Sequence, residues 1–137
     1  MKKVLFVCVG NTCRSQMAEG FARELGKGIV EASSAGTAAT GFVSREGKEA
    51  MEEAGIDISG QASRQITREM VEKSDLVVAL GGCPECLYPE LLENKLITWP
   101  IPDPFGEPLS RYRQVRDMIK ENVVNLIIDL SRGRPRQ

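Results

Sequence analysis

The chain has 137 residues, a formal net charge of -1 and no histidine. That length suits one domain able to bury roughly two thirds of its unfolded surface. Near-neutral charge gives no field for nucleic acid or an anionic membrane, and the absent histidine excludes Ser-His-Asp and Cys-His catalysis.

In chain order, "KKVLFVC" reads as a short apolar strand covered on both faces. From Ser15, apolar residues Met17, Ala18, Phe21, Ala22 and Leu25 share one face of a helix that ends near Gly26. A second strand is predicted over Ile29 to Ser33. A second helix is predicted from Ser44 as N-cap to Gly55 as its stop. "DLVVAL", Asp75 to Leu80, and "KLITW", Lys95 to Trp99, are the third and fourth strands. A long helix follows, with Tyr112, Val115, Ile119, Val123, Leu126, Ile127 and Leu130 on one face; the tail over 131–137 loses the period and is expected to fray. Residues 1–130 form the expected domain. Alternating strands and helices predict an α/β fold with a parallel sheet, whose ligands bind beyond the carboxyl ends of the strands. Cys8, Cys83 and Asp103 each follow a strand end, so three distant segments are expected to converge on one edge. The apolar runs are too short to span a bilayer, and the N-terminus has no signal-peptide cleavage pattern; a cytoplasmic protein is expected.

The chemistry is concentrated in the loop Cys8-Val9-Gly10-Asn11-Thr12-Cys13-Arg14, between the first strand and first helix. Its backbone N–H groups suit a tetrahedral oxyanion, and the helix start adds positive dipole. Gly10 and Asn11 tolerate the left-handed conformations of a curled loop. Arg14 offers a planar fork to two oxygens. Amide dipoles and the guanidinium favour a thiolate on Cys8, so no histidine base is required. Cys8 alone also reads as a buried strand-end thiol, and C-x5-R alone is a weak pattern; the strand–loop–helix setting strengthens it.

C-x5-R-S after the first strand resembles the low-molecular-weight protein tyrosine phosphatase superfamily. "SSAGT", "GIDIS", "SDLVVAL" and Asp103-Pro104 occur in the family's order, over about residues 3 to 130. The resemblance implies a three-layer domain with a four-stranded parallel sheet flanked by helices. It implies Cys8 as nucleophile, the Cys8–Arg14 loop as oxyanion site, Ser15 as hydrogen-bond partner of the thiolate, and Asp103 as general acid. Asn11 would hold the loop's shape.

The superfamily contains phosphatases and thioredoxin-coupled arsenate reductases, and arsenate is close to isosteric with phosphate. "ALGGCPECLYP" carries Cys83 and Cys86 where the phosphatases have an aspartate, and "CRSQMAEG" resembles the reductases' first helix. Both details favour reductase. By that resemblance Cys83 is the second thiol and Cys86 the third, ending in a Cys83–Cys86 disulfide reduced by thioredoxin or a thioredoxin-like protein. The C-x2-C spacing is narrower than usual there, which leaves the order of the two thiols open. "LYPELLENK" would be a mobile helix or loop that lets a thiol travel to Cys8. The alternative is phosphomonoester hydrolysis through a cysteinyl-phosphate, with Phe42 and Phe105 as apolar walls. A four-cysteine zinc site would place a cation beside Arg14 and is disfavoured. A non-catalytic anion binder would need neither nucleophile nor acid. Asn11, Glu19 and Ser34 loosely match a potassium site of some reductases, but the acidic partner around Ser63 to Thr67 is missing. No cofactor and no metal are therefore expected. Cys13 reads equally as a backup thiol for Cys8 or as a small buried apolar residue.

Overall fold

The computed structural model describes residues 1–133. Four parallel strands, β1 (Lys2–Cys8), β2 (Val30–Gly36), β3 (Leu76–Ala79) and β4 (Leu96–Thr98), form one sheet in the order β2-β1-β3-β4. Six helices connect or follow them: α1 (Arg14–Leu25), α2 (Arg45–Glu53), α3 (Arg68–Lys73), α4 (Pro84–Leu87), α5 (Pro89–Leu92) and α6 (Leu109–Ser131).

The two-residue period of the strands sorts side chains into two cores. Val4 and Phe6 of β1, with Val78 of β3, join a cluster containing Met17 and Phe21 of α1 and Val115, Ile119 and Val123 of α6. Leu5 and Val7 of β1, with Val77 of β3, face the opposite cluster beside Val71 of α3 and Leu92 of α5. Helices on both faces explain why β1 is apolar at every position from Val4 to Cys8. The predicted face of α6 is the buried one, with Leu130 partly buried at its end.

Local signals account for most boundaries. Ser44 Oγ accepts from Gly47 N (3.3 Å) at the start of α2, and Gly55, at φ 82, lies just beyond its end. Arg113 of α6 grips Glu53 of α2 through two bonds of 2.8 Å. Three expectations need adjusting. Helix α1 begins one residue earlier than Ser15, and β2 continues to Gly36 because Ala35 and Gly36 pair with Val7 and Cys8. Ser131, assigned to the fraying tail, still belongs to α6; residues 134–137 of that tail lie outside the described residues. Among the described residues, no helix is long and apolar enough to cross a membrane.

The chain direction fixes the functional edge. Strand β1 lies between β2 and β3; the chain leaves the carboxyl end of β1 toward β2 on one side, and leaves that of β3 toward β4 on the other. In open parallel sheets this reversal opens the ligand crevice.

Candidate active site

The loop after β1 is held by its carbonyls. Cys8 O accepts from Thr37 N (3.0 Å), Val9 O from Ala38 N (2.8 Å), Gly10 O from Thr40 N (3.0 Å) and Thr12 O from Ser44 N (3.0 Å). Asn11 O accepts from Gln16 Nε2 (3.0 Å), and Cys13 O from Met17 N (3.0 Å). Six consecutive carbonyls are thus bound on the outside of the curl. In the same stretch, Val9 to Arg14, no backbone N–H donates to another protein group among the described residues. Backbone donors without a protein partner are uncommon, and a ring of them at a helix start suits a tetrahedral oxyanion.

Close approach requires small residues here. A Cβ on Gly36 would stand 2.6 Å from Val9 O and 2.9 Å from Asn11 N, so β2 meets the loop only as glycine. Asn11 is the loop's left-handed residue, at φ 51. Gly10 is not left-handed, contrary to expectation; it is needed for space, since a Cβ there would lie 2.8 Å from Thr12 Oγ1.

Cys8 lies 2% exposed beneath the curl, its Sγ 2.9 Å from Ser15 Oγ. Ser15 Oγ accepts from Asn11 Nδ2 (2.7 Å), which frees its own proton for the sulfur. The Asn11 amide is fixed at its other end, where Oδ1 accepts from Arg64 N (2.8 Å). Its second amide proton goes to Ser34 Oγ (3.0 Å), and Ser34 Oγ donates to Glu19 Oε1 (2.5 Å). Burial pushes the Glu19 carboxyl above its ordinary range; the Ser34 hydroxyl and the charges of Arg64 and Arg23 oppose that shift. A hydrogen-bonded line therefore runs from Glu19 to the sulfur of Cys8.

Arg14 Nη1 donates to Leu80 O (2.8 Å) and Ile101 O (3.0 Å), beyond the ends of β3 and β4. Asp103 Oδ2 is 3.6 Å from Arg14 Nη2, and its Oδ1 accepts from Phe105 N (3.0 Å). These groups enclose a cavity of about 190 Å³ whose walls include Cys8, Arg14, Asp103, Thr12, Thr40 and Phe105. Phe42 and Phe105 are both exposed and meet edge to face with centroids 6.2 Å apart. The cavity brings together the expected nucleophile, clamp and acid.

Cys83 and Cys86 are not among its walls. They form a disulfide across α4, with Cα atoms 5.3 Å apart; Cys83 is half-buried and Cys86 exposed. Their segment starts at the cavity, because Gly81 abuts Arg14 and Gly82 lies against Thr37 and Cys8 O.

The composition of these parts is a family signature. Residues 3–136 match the family model for low molecular weight phosphotyrosine protein phosphatase. The chain belongs to that family. A curated relative, "Glutaredoxin arsenate reductase" of Synechocystis sp., is 45% identical over 132 residues, 96% of this chain and 100% of that protein. Among solved structures, "An arsenate reductase in the phosphate binding state" superposes with a TM-score of 0.86 at 44% identity, covering 95% of this chain and 99% of that one. The "YwlE arginine phosphatase from Geobacillus stearothermophilus" gives 0.89 at 30% identity, with 97% and 95% covered. Low molecular weight phosphatase-family proteins with reductase names and with phosphatase names thus share this fold and most of its length.

Sequence reasoning missed several supporting residues of this family member. Thr37 to Ser44 carries four of the carbonyl clamps through main-chain atoms, which leave no mark in side-chain identity. Tyr112, counted only as a core residue, places its hydroxyl 3.5 Å from Cys13 Sγ and accepts from Ser44 Oγ (3.1 Å). Cys13 is buried with Ala50 and Tyr112 while also touching the cavity. Burial pushes its thiol from an ordinary 9.0 up to about 11, against the lowering bonds of Tyr112 and Ser44. The folded value lies above the unfolded one, so the stability it contributes is complete below about pH 9 and lost as pH rises to about 11. Burial and Cys13 also raise the Tyr112 phenol, which acts in the same direction. Urea midpoints of a Cys8→Ser protein should therefore fall across that window, and fall less in Cys8→Ser/Cys13→Ala.

Proposed function

We propose that this protein reduces arsenate to arsenite in the cytoplasm, using Cys8, Cys83 and Cys86 as a thiol relay re-reduced by thioredoxin or a thioredoxin-like protein. The observation that carries this reading is the Cys83–Cys86 disulfide on the segment that leaves the oxyanion cavity. Hydrolysis of a phosphomonoester has no use for such a pair. The reductase names of relatives at 45% and 41% identity support the same reading.

In the proposed cycle the loop N–H groups and Arg14 hold the arsenate oxygens. Cys8 Sγ, as thiolate supported by the Ser15 hydroxyl, attacks arsenic to form an S–As bond; the As–O bond to one arsenate hydroxyl breaks, and Asp103 gives that hydroxyl its proton so that it leaves as water. Cys83 thiolate then attacks Cys8 Sγ. An S–S bond forms, the S–As bond breaks, and its electron pair stays on arsenic, which leaves as arsenite. Cys86 thiolate next attacks Cys83 Sγ and releases Cys8. The exposed position of Cys86 suits attack by an external dithiol, which supplies the two electrons. The short helices α4 and α5 would have to shift for Cys83 to reach Cys8.

A second reading, phosphomonoester hydrolysis by Cys8, Arg14 and Asp103, is favoured by the Phe42–Phe105 pair beside the cavity, since a small inorganic anion needs no apolar rim. One preparation assayed twice separates them: arsenate-dependent NADPH oxidation with thioredoxin and thioredoxin reductase, and aryl phosphate hydrolysis. Arsenate turnover well above hydrolysis is expected. Hydrolysis without any arsenate-dependent oxidation, with thioredoxin or glutaredoxin, would leave the phosphatase reading.

A further inference from the structure

The guanidinium of Arg14 is packed against main chain on a side where nearly every residue would obstruct it. A Cβ on Gly81 would lie within 2.6 Å of Arg14 Cζ and 2.6 Å of Nη2, with Nη1 closer still. Gly81 does not have a positive φ, so alanine fits its backbone. The three nearest atoms it would meet all belong to the tip of a long side chain. The space a side chain at 81 would take is the space the Arg14 guanidinium occupies.

We infer that Gly81 is a positioning residue for Arg14: its missing side chain lets the guanidinium lie flat over the end of β3, pinned by Leu80 O and Ile101 O. Those two carbonyls occupy Nη1, which leaves for an oxyanion the donors on Nε and on Nη2, the latter 3.6 Å from Asp103 Oδ2. Arg14 is only 8% exposed, so its charge is held at the cavity by these contacts, in surroundings where a displaced donor is not replaced by water. Adding a methyl group at 81 would push the guanidinium off these carbonyls: the preceding residue is tied to β1 through Leu80 N and Val7 O (2.7 Å), and the side-chain torsions of Arg14 are the softer element. The steric penalty is transferred from the fold to the clamp. Gly81 also begins the segment carrying the disulfide, so the residue that seats the clamp is the one from which that segment departs.

The inference rests on the reading of Arg14 as an oxyanion clamp, and two measurements keep the two apart. The first is labelling of Arg14 by phenylglyoxal, followed by mass spectrometry, in wild type and Gly81→Ala. It needs no substrate. Arg14 should react at least about tenfold faster in the variant, with melting temperature within a few degrees of wild type. The second is titration calorimetry with inorganic phosphate. Affinity should fall about tenfold or more in Gly81→Ala, the scale of one charge-assisted bond. In Arg14→Lys the same glycine substitution should have little further effect, because a lysine ammonium carries no planar fork to collide with residue 81. Gly60→Ala, in open space, should match wild type in both measurements. Unchanged Arg14 labelling in a folded Gly81→Ala protein, or additive losses in the double variant, overturns the inference. Faster labelling with no phosphate binding even by wild type would uphold the packing role and overturn the clamp.

Discussion

A Cys8→Ser protein will lose arsenate-dependent NADPH oxidation and aryl phosphate hydrolysis together, each by about 10³-fold or more. Both reactions begin with a covalent bond from Cys8 Sγ, and a hydroxyl at that position ionises far less readily than a thiol. The atom's nearest neighbours, a Ser15 hydroxyl at 2.9 Å and a cradle of main-chain donors, include no base to activate a serine. Phosphate binding should survive within a few-fold, because Arg14 and the loop N–H groups are untouched. Measuring both separates chemistry from capture. Turnover retained in this variant would remove Cys8 from the mechanism.

Cys83→Ser and Cys86→Ser should each stop multiple-turnover arsenate reduction while leaving aryl phosphate hydrolysis within about twofold, since neither residue lines the cavity. They should stop it at different points. With Cys86 replaced, one equivalent of arsenite is released and a Cys8–Cys83 disulfide accumulates, two hydrogens lighter by mass spectrometry. With Cys83 replaced, no such equivalent appears. The reverse pattern would make Cys86 the attacking thiol. Turnover persisting in the double variant would sink the relay altogether.

The fold was largely readable because its signals are local and strong. Val4 to Cys8 is apolar at consecutive positions, and Tyr112 to Ile127 keeps one helical face over about four turns. Ser44 and Gly55 mark α2 at both ends. Short helices escaped for the complementary reason. Helix α3 has six residues with one buried, Val71, too few for a period to emerge. Helices α4 and α5 each begin at a proline, and each ends within little more than a turn. At the site, Cys8, Arg14 and Asp103 stood out because unusual chemistry at strand ends is visible in side-chain identity. What holds them is mostly invisible there. The carbonyl clamps come from Thr37, Ala38, Thr40 and Ser44 through backbone nitrogen, and the seat of Arg14 is an absence of atoms at Gly81. Gly10 was assigned the right importance for a reason the structure replaces: space beside Thr12, not handedness.

The clamping of six successive carbonyls also bears on how such a site persists under mutation. Its recognition surface is written in peptide units, and every residue type except proline supplies the same N–H. Exchanging the side chains of Val9 or Ala38 leaves the donors and their spacing in place. Side-chain exchange at such positions costs anion capture little, while those that carry reactivity, handedness or clearance, Cys8, Gly10, Asn11, Arg14, Gly36 and Gly81, tolerate little. One inherited cradle can then pass between neighbouring chemistries by changes around it, as the reductase and phosphatase names among its structural neighbours illustrate.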